Sequence, residues 1–225
     1  MKKTEFIEGG IQKIDGIMVS KNAPSWGKFR FVSGAKSKDQ TRFTMTGIHI
    51  ERVKDKTLII STDGKRLHIA SIDTLNIEPG DYEVKENTRD FMVLYPTADE
   101  ISYPNWRQII RGLETQKHLE INLTNKDKSD FSQNLYSLFK ATEAPINFEF
   151  LEPLANFSST WDVYFNGSFK AHTFVNGDLM AIIMPMAERE SLKVEETVNG
   201  PDFRDITPEI NILEFKPVKK QRKTA

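Results

Sequence analysis

Thr62-Asp63-Gly64-Lys65-Arg66-Leu67 lies between two apolar stretches, Thr57-Leu58-Ile59-Ile60-Ser61 before it and Leu67-His68-Ile69-Ala70-Ser71-Ile72 after it. Short runs rich in β-branched residues and joined through Asp-Gly specify two antiparallel strands and a tight turn. Working outward, Asp81-Tyr82-Glu83-Val84 reads as another strand, while Phe91-Met92-Val93-Leu94 is apolar but too short to type. On the other side, Phe43, Met45 and Gly47 alternate with polar residues, and Ile48 and Ile50 continue on the opposite parity, which predicts a strand over 42–50. Pro24-Ser25 starts a predicted helix reaching about residue 37, with Trp26, Phe29, Phe31 and Val32 on its apolar side and Gly27 and Gly34 weakening it. Gly9-Gly10 and Asp15-Gly16 are turn signals between short strands nearer the N-terminus.

A second unit begins near Trp106. Leu119-Glu120-Ile121-Asn122-Leu123 alternates as a strand. Phe131, Leu135, Leu138 and Phe139 then recur at helical spacing, with Ser129 or Asp130 as the cap and Pro145 closing the segment. A strand is expected over 146–150 and a short helix over 151–157. Strands at 161–165, 169–175 and 179–186 follow, joined by Asn166-Gly167 and Asn176-Gly177. These readings give an α+β protein with two small units of antiparallel strands, 1–105 and 106–187. An acidic then basic tail covers 188–225.

Composition narrows the function classes. Apolar residues make up 38% and charged residues 28%, the balance of a globular domain that can bury a core. No apolar run approaches the roughly 20 residues of a membrane helix. The charged start Met1-Lys2-Lys3-Thr4-Glu5 leads into no signal-peptide apolar region, and there is no cysteine, so a cytoplasmic location is expected. The net charge of −1 lacks the overall basic excess usual in a nucleic-acid binder, yet residues 21–42 carry six basic side chains against Asp39 alone. His49, His68, His118 and His172 have no metal-ligand spacing, and Gly27-Lys28 lacks the glycine-rich loop of a phosphate binder. No nucleophile, base and orienter can be assembled, so neither an enzyme nor a cofactor is expected. Trp26, Trp106 and Trp161 read as core or junction residues.

Four segments together resemble the bacterial DNA sliding clamp, the beta subunit of DNA polymerase III. Ser37-Lys38-Asp39-Gln40-Thr41-Arg42 with Met45-Thr46-Gly47-Ile48 resembles the opening of the clamp's middle domain. Thr62 to Leu67 is similar to its threonine-aspartate-glycine-histidine-arginine-leucine hairpin, with Lys65 in place of the histidine. Tyr103-Pro104-Asn105-Trp106-Arg107 resembles the junction between its middle and C-terminal domains, and Ile182-Ile183-Met184-Pro185-Met186 its closing strand. Too few residues lie between Val84 and Tyr103, and between Lys140 and Pro145, for complete clamp domains, and nothing matches the N-terminal clamp domain. A reduced, phage-like member is therefore implied.

The resemblance implies a processivity factor, not an enzyme, that tethers polymerase and other replication or repair proteins to double-stranded DNA, with a clamp loader as a further partner. It also implies an apolar groove for partner peptides, lined by Met45, Thr62, Gly64, Lys65, Arg66, Leu67, Pro104, Ile182, Met184, Pro185 and Met186, with Arg66 donating at its rim. DNA would be faced by Lys28, Arg30, Lys36 and Lys38 on the first helix and by Lys140 on an otherwise neutral second one. A homo-oligomer is expected, a trimer if both units are complete and a ring closes. The alternative is a monomeric adaptor or decoy that binds clamp-partner peptides without encircling DNA. Ile210-Asn211-Ile212-Leu213-Glu214-Phe215 in the tail loosely resembles such a peptide itself.

Overall fold

In a computed structural model, residues 5–8, 10–13, 15–73, 76–97, 102–111, 117–123, 128–165 and 170–186 are described. The Asn166-Gly167 turn, the Phe131 side chain, and the tail with Ile210 to Phe215 lie outside the described residues. The first half contains β1 (Glu5–Glu8), β2 (Ile11–Lys13), β3 (Ile17–Ser20), α1 (Trp26–Ser33), β4 (Ile48–Val53), β5 (Lys56–Thr62), β6 (Arg66–Asp73), β7 (Gly80–Asn87) and β8 (Phe91–Pro96). The second contains α2 (Trp106–Arg111), β9 (Lys117–Asn122), α3 (Lys128–Thr142), α4 (Glu152–Phe157), β10 (Thr160–Phe165), β11 (His172–Asn176) and β12 (Leu179–Ile183).

All 12 strands join one sheet in the order β1-β2-β3-β8-β7-β4-β5-β6-β12-β11-β10-β9. Every pairing is antiparallel. The seam between the two halves is the β6–β12 pair, where Leu67 stands opposite Ile182 and Ala70 opposite Leu179. Strand alternation gives this region two buried faces. Ile59, Ala70, Leu179 and Ala181 pack on one side with Phe29, Phe31 and Val32 of α1, Leu138 of α3 and Leu154 of α4. On the other side Leu58, Ile60, Leu67, Ile69, Met180 and Ile182 are also buried.

That second side is covered in part by the stretch between the halves. Ile48 and Ile50 of β4 face the helix-bearing core, so His49 and Glu51 face away from it. Tyr103 stacks on His49 at 5.1 Å between ring centroids, and Arg107 pairs with Glu51. His49 Nδ1 meets Asp81 Oδ1 at 2.5 Å. Trp106 and Ile110 of α2, which follows Tyr103 in the chain, are buried at 4% and 7% exposure.

Five local expectations change. The strand expected over 42–50 starts only at Ile48, because Gln40–Met45 is a 3-10 turn. Asp39 Oδ1 accepts from the Thr41 backbone N–H at 2.9 Å and its hydroxyl at 2.7 Å, a local bond that competes with extended pairing. The strand expected over 146–150 is likewise a coil and a 3-10 turn, Phe148–Phe150, capped by Asn147, whose Oδ1 accepts from Glu149 N–H at 3.0 Å. The first helix stops at Ser33 rather than near 37, since the Ser37 N–H donates to Met45 O at 2.7 Å instead of to an earlier turn. In addition, α3 is already helical at Lys128, so Ser129 and Asp130 lie within the helix. The last strand ends at Ile183, and Pro185 has no N–H with which to extend it.

His68 is fully buried beneath α1, its Nδ1 2.8 Å from Phe31 O and its ring stacked on Phe31 at 4.5 Å. Burial disfavours its cation and lowers its pKa to about 4. The folded protein thus binds fewer protons than the unfolded chain, whose histidine titrates near 6.5. The stabilising contribution is complete above pH 6.5 and is lost as pH falls through about 4, amounting to about 3 kcal/mol. Urea unfolding of the wild type and His68→Gln across this window checks it. The wild type is expected to lose more stability on acidification than the variant, and parallel pH dependences would refute the assignment.

Candidate functional site

The hairpin sequence builds its own turn. Asp63 Oδ1 accepts from the N–H groups of Lys65 at 2.9 Å and Arg66 at 3.0 Å, and Thr62 Oγ1 accepts from Gly64 N–H at 3.0 Å while donating to Arg66 O at 2.6 Å. Gly64 has φ +85°, which favours glycine. A Cβ there would stand 3.8 Å from the Met45 sulfur and 3.4 Å from Arg42 Nη1, so Met45 and Arg42 lie against the turn. Arg42 Nη1 donates to Asp63 O at 3.1 Å.

Antiparallel pairing then brings in the end of the chain's second half. Leu67 and Ile182 are direct partners, and the Met184 N–H donates to Lys65 O at 2.9 Å, one step past β12. Thr62, Leu67 and Ile182 are at most 2% exposed and form a floor. Met184 and Met186 stand out at 45% and 49% exposure, with Pro185 half-buried between them. By alternation Thr62, Leu67 and Ile182 share the sheet side on which Tyr103 covers His49, and Pro104, next to Tyr103 in the chain, is half-buried.

Arg66 stands apart from this arrangement. Its side chain is only 9% exposed, and it points to the helix-bearing side. Its Nε donates to Asp63 Oδ2 at 3.0 Å, its Nη1 to Glu149 O at 3.4 Å, and its guanidinium lies 4.6 Å from the Phe150 ring centroid. Rather than standing ready at a rim, it ties the hairpin to the 3-10 turn of the second half.

Sequence reasoning missed a neighbouring apolar cavity of about 250 Å³, lined by Leu138, Phe139, Ala144, Pro145, Ile146 and Phe148 among others. The Met186 N–H donates to Pro145 O at 2.7 Å, which places the exposed methionine beside this cavity. Phe139 and Phe148 are 48% and 57% exposed. Helical spacing put Phe139 on the buried face, and the strand reading hid Phe148. Pro145 and the cap-forming Asn147 were the signals of a turn.

The residues expected to face DNA from the first helix do not all lie on it. Only Lys28 and Arg30 lie on α1, because the helix ends before Lys36 and Lys38. Lys28 Nζ donates to Asp178 Oδ2 at 2.9 Å and Ser71 O at 2.7 Å, so its charge is paired. Arg30 Nη1 donates to Asn87 Oδ1 at 2.6 Å and Thr88 O at 3.2 Å. Lys38 and Lys140 are exposed and Lys36 half-buried. Among the described residues no group of three or more histidine, aspartate or glutamate side chains could hold a metal ion, and no helix is long and apolar enough to cross a membrane.

No protein-family model and no curated protein matches the sequence. Solved structures do match by shape. DNA polymerase III subunit beta from Borrelia burgdorferi, in complex with a natural product, superposes with a TM-score of 0.54 at 12% identity, covering 78% of this chain and 65% of that one. The Helicobacter pylori beta clamp bound to a DNA ligase peptide gives 0.52 at 12% identity, covering 78% and 67%. This chain therefore spans about two thirds of the length of those proteins. At such identity the likeness is one of fold, and the fold is that of the bacterial DNA sliding clamp.

Proposed function

We propose that this chain is a clamp-like processivity factor that holds DNA polymerase and other replication or repair proteins at DNA by docking their short linear peptides. The observation that carries the reading is the β6–β12 pairing, which sets the buried Leu67–Ile182 floor beside the exposed Met184 and Met186. Peptides bearing leucine and phenylalanine would gain roughly 1.5–3 kcal/mol for each side chain fully buried. The flexible, polarisable methionines suit several partners. The Helicobacter pylori clamp, of the same fold, holds a DNA ligase peptide, and this supports a peptide-docking role. Tethering raises the effective concentration of an enzyme at its template.

In this reading residues 1–105 and 106–187 act as two clamp-like units, and three copies close a ring around non-specifically bound double-stranded DNA, set there by a clamp loader. The paired charge of Lys28, on the helix expected to face DNA, favours a second reading, a monomeric adaptor that binds the same peptides without encircling DNA. Mass measurement in solution separates the two. A trimer retained on circular DNA and lost on linearisation is expected for the ring. A strict monomer at micromolar concentration eliminates it and leaves the adaptor.

A further inference from the structure

The helix-bearing side carries a cavity of about 520 Å³ between α1 and α4, within the size range of small-ligand sites. Its wall includes Trp26, Arg30, Asn87, Asn156 and Phe157, over a floor made by Phe31. Gly27 of α1 and Gly34, just past its end, let α4 come this close: a Cβ on Gly27 would stand 3.0 Å from Phe157 Cε2, and one on Gly34 2.9 Å from Pro153 Cβ. A side chain at either position would press on the α4 wall of the cavity, at Phe157 or Pro153.

Its chemistry is unusual for a gap between helices. Trp26 is half-buried, Phe157 is 40% exposed, and Phe31 is buried against Phe157 at 5.7 Å between ring centroids. The Arg30 guanidinium stands 5.6 Å from the Trp26 ring centroid, and the hydrogen bonds described for it run through Nη1, toward Asn87 and Thr88. Asn87 is held in turn by Ser33, to whose Oγ its Nδ2 donates at 3.4 Å. The lining holds one cation, two amides and three aromatic rings, with no carboxylate. Planar aromatic faces, amide donors and acceptors, and one cation together fit a nucleobase and its phosphate.

We propose that the α1–α4 cavity binds an unpaired nucleotide of a single strand, its base against Trp26 and Phe157, its edge read by the amides and its phosphate met by Arg30. A base stacked inside a duplex cannot enter, so the site would recognise a strand end, a gap or a displaced strand. The inference stands apart from peptide docking, since it uses none of those residues.

Trp106 and Trp161 are buried at 4% and 0% exposure, so quenching of tryptophan fluorescence by an added base reports on Trp26. The full-length chain is titrated at low salt with a short oligothymidylate. Saturable quenching is expected, absent in Trp26→Phe, with affinity about tenfold weaker in both Phe157→Ala and Arg30→Gln. Unchanged thermal transitions establish that the variants fold. No saturable quenching in the wild type would overturn the proposal, as would affinity unchanged in both wall variants. Competition by blunt duplex as strong as by oligothymidylate would overturn base recognition, and equal affinity for thymidine monophosphate would overturn a strand as the ligand.

Discussion

The double variant Met184→Ala with Met186→Ala is expected to bind a leucine- and phenylalanine-bearing partner peptide about thirtyfold more weakly than wild type. Full burial of a methionine side chain is worth roughly 1.5–3 kcal/mol. Each of these is already about half covered, at 45% and 49% exposure, so a docked peptide can hide only the remainder. Two such remainders give about 2 kcal/mol, which converts to that factor. Both residues lie beyond β12, so the melting temperature should barely move. Fluorescence anisotropy with a labelled peptide measures the change. Because the contact is apolar, affinity should respond little to salt between low and physiological ionic strength. Unchanged affinity in the folded double variant would remove the groove from these residues and leave the neighbouring cavity at Phe139 and Phe148 as the place to look.

The legible parts of the fold were those written locally. Asp63-Gly64 and Asn176-Gly177 announced their hairpins because the turn chemistry sits in two adjacent residues, and both glycines have positive φ. Period-two alternation also located β10, and helical spacing located α3, with errors only at the ends. The misread segments, 40–45 and 146–150, are those where an Asp or Asn side chain caps the backbone and overrides apolar alternation.

The site was legible only in fragments. Periodicity in residues 67–72 and 179–183 cannot say that these strands are neighbours; that came from resemblance, and the sheet bears out the neighbourhood. Arg66 looked like an available donor because its partner Phe150 comes from the other half of the chain. Lys28 looked like a free cation for the same reason, its partner Asp178 lying in a distant hairpin. Neither cavity could be foreseen, since each depends on how closely separate elements approach. For α1 and α4 that approach is set by two glycines whose visible effect in the sequence was only a weak helix propensity.

Truncation of Trp161 to alanine should have the largest effect on stability, a loss of about 3–5 kcal/mol. The side chain is 0% exposed in β10 and stacks on Phe31 of α1 at 5.7 Å between centroids. Its Nε1–H donates to Leu154 O at 3.3 Å and Ser158 O at 3.1 Å, tying the sheet to α4. One ring thus joins β10, α1 and α4, and its removal leaves a cavity that three elements would have to close together. Since a domain of this kind has only about 5–15 kcal/mol in total, the variant should unfold at much lower urea concentration with an unchanged slope. Trp161→Phe keeps most of the packing and loses the donor, so about 1–2 kcal/mol is expected from it. The same loosening should widen the α1–α4 gap, so Trp161→Phe should also weaken oligothymidylate binding without touching the ligand. A loss below about 1 kcal/mol in Trp161→Ala would mean that α1 and α4 are held to the sheet by something other than this ring.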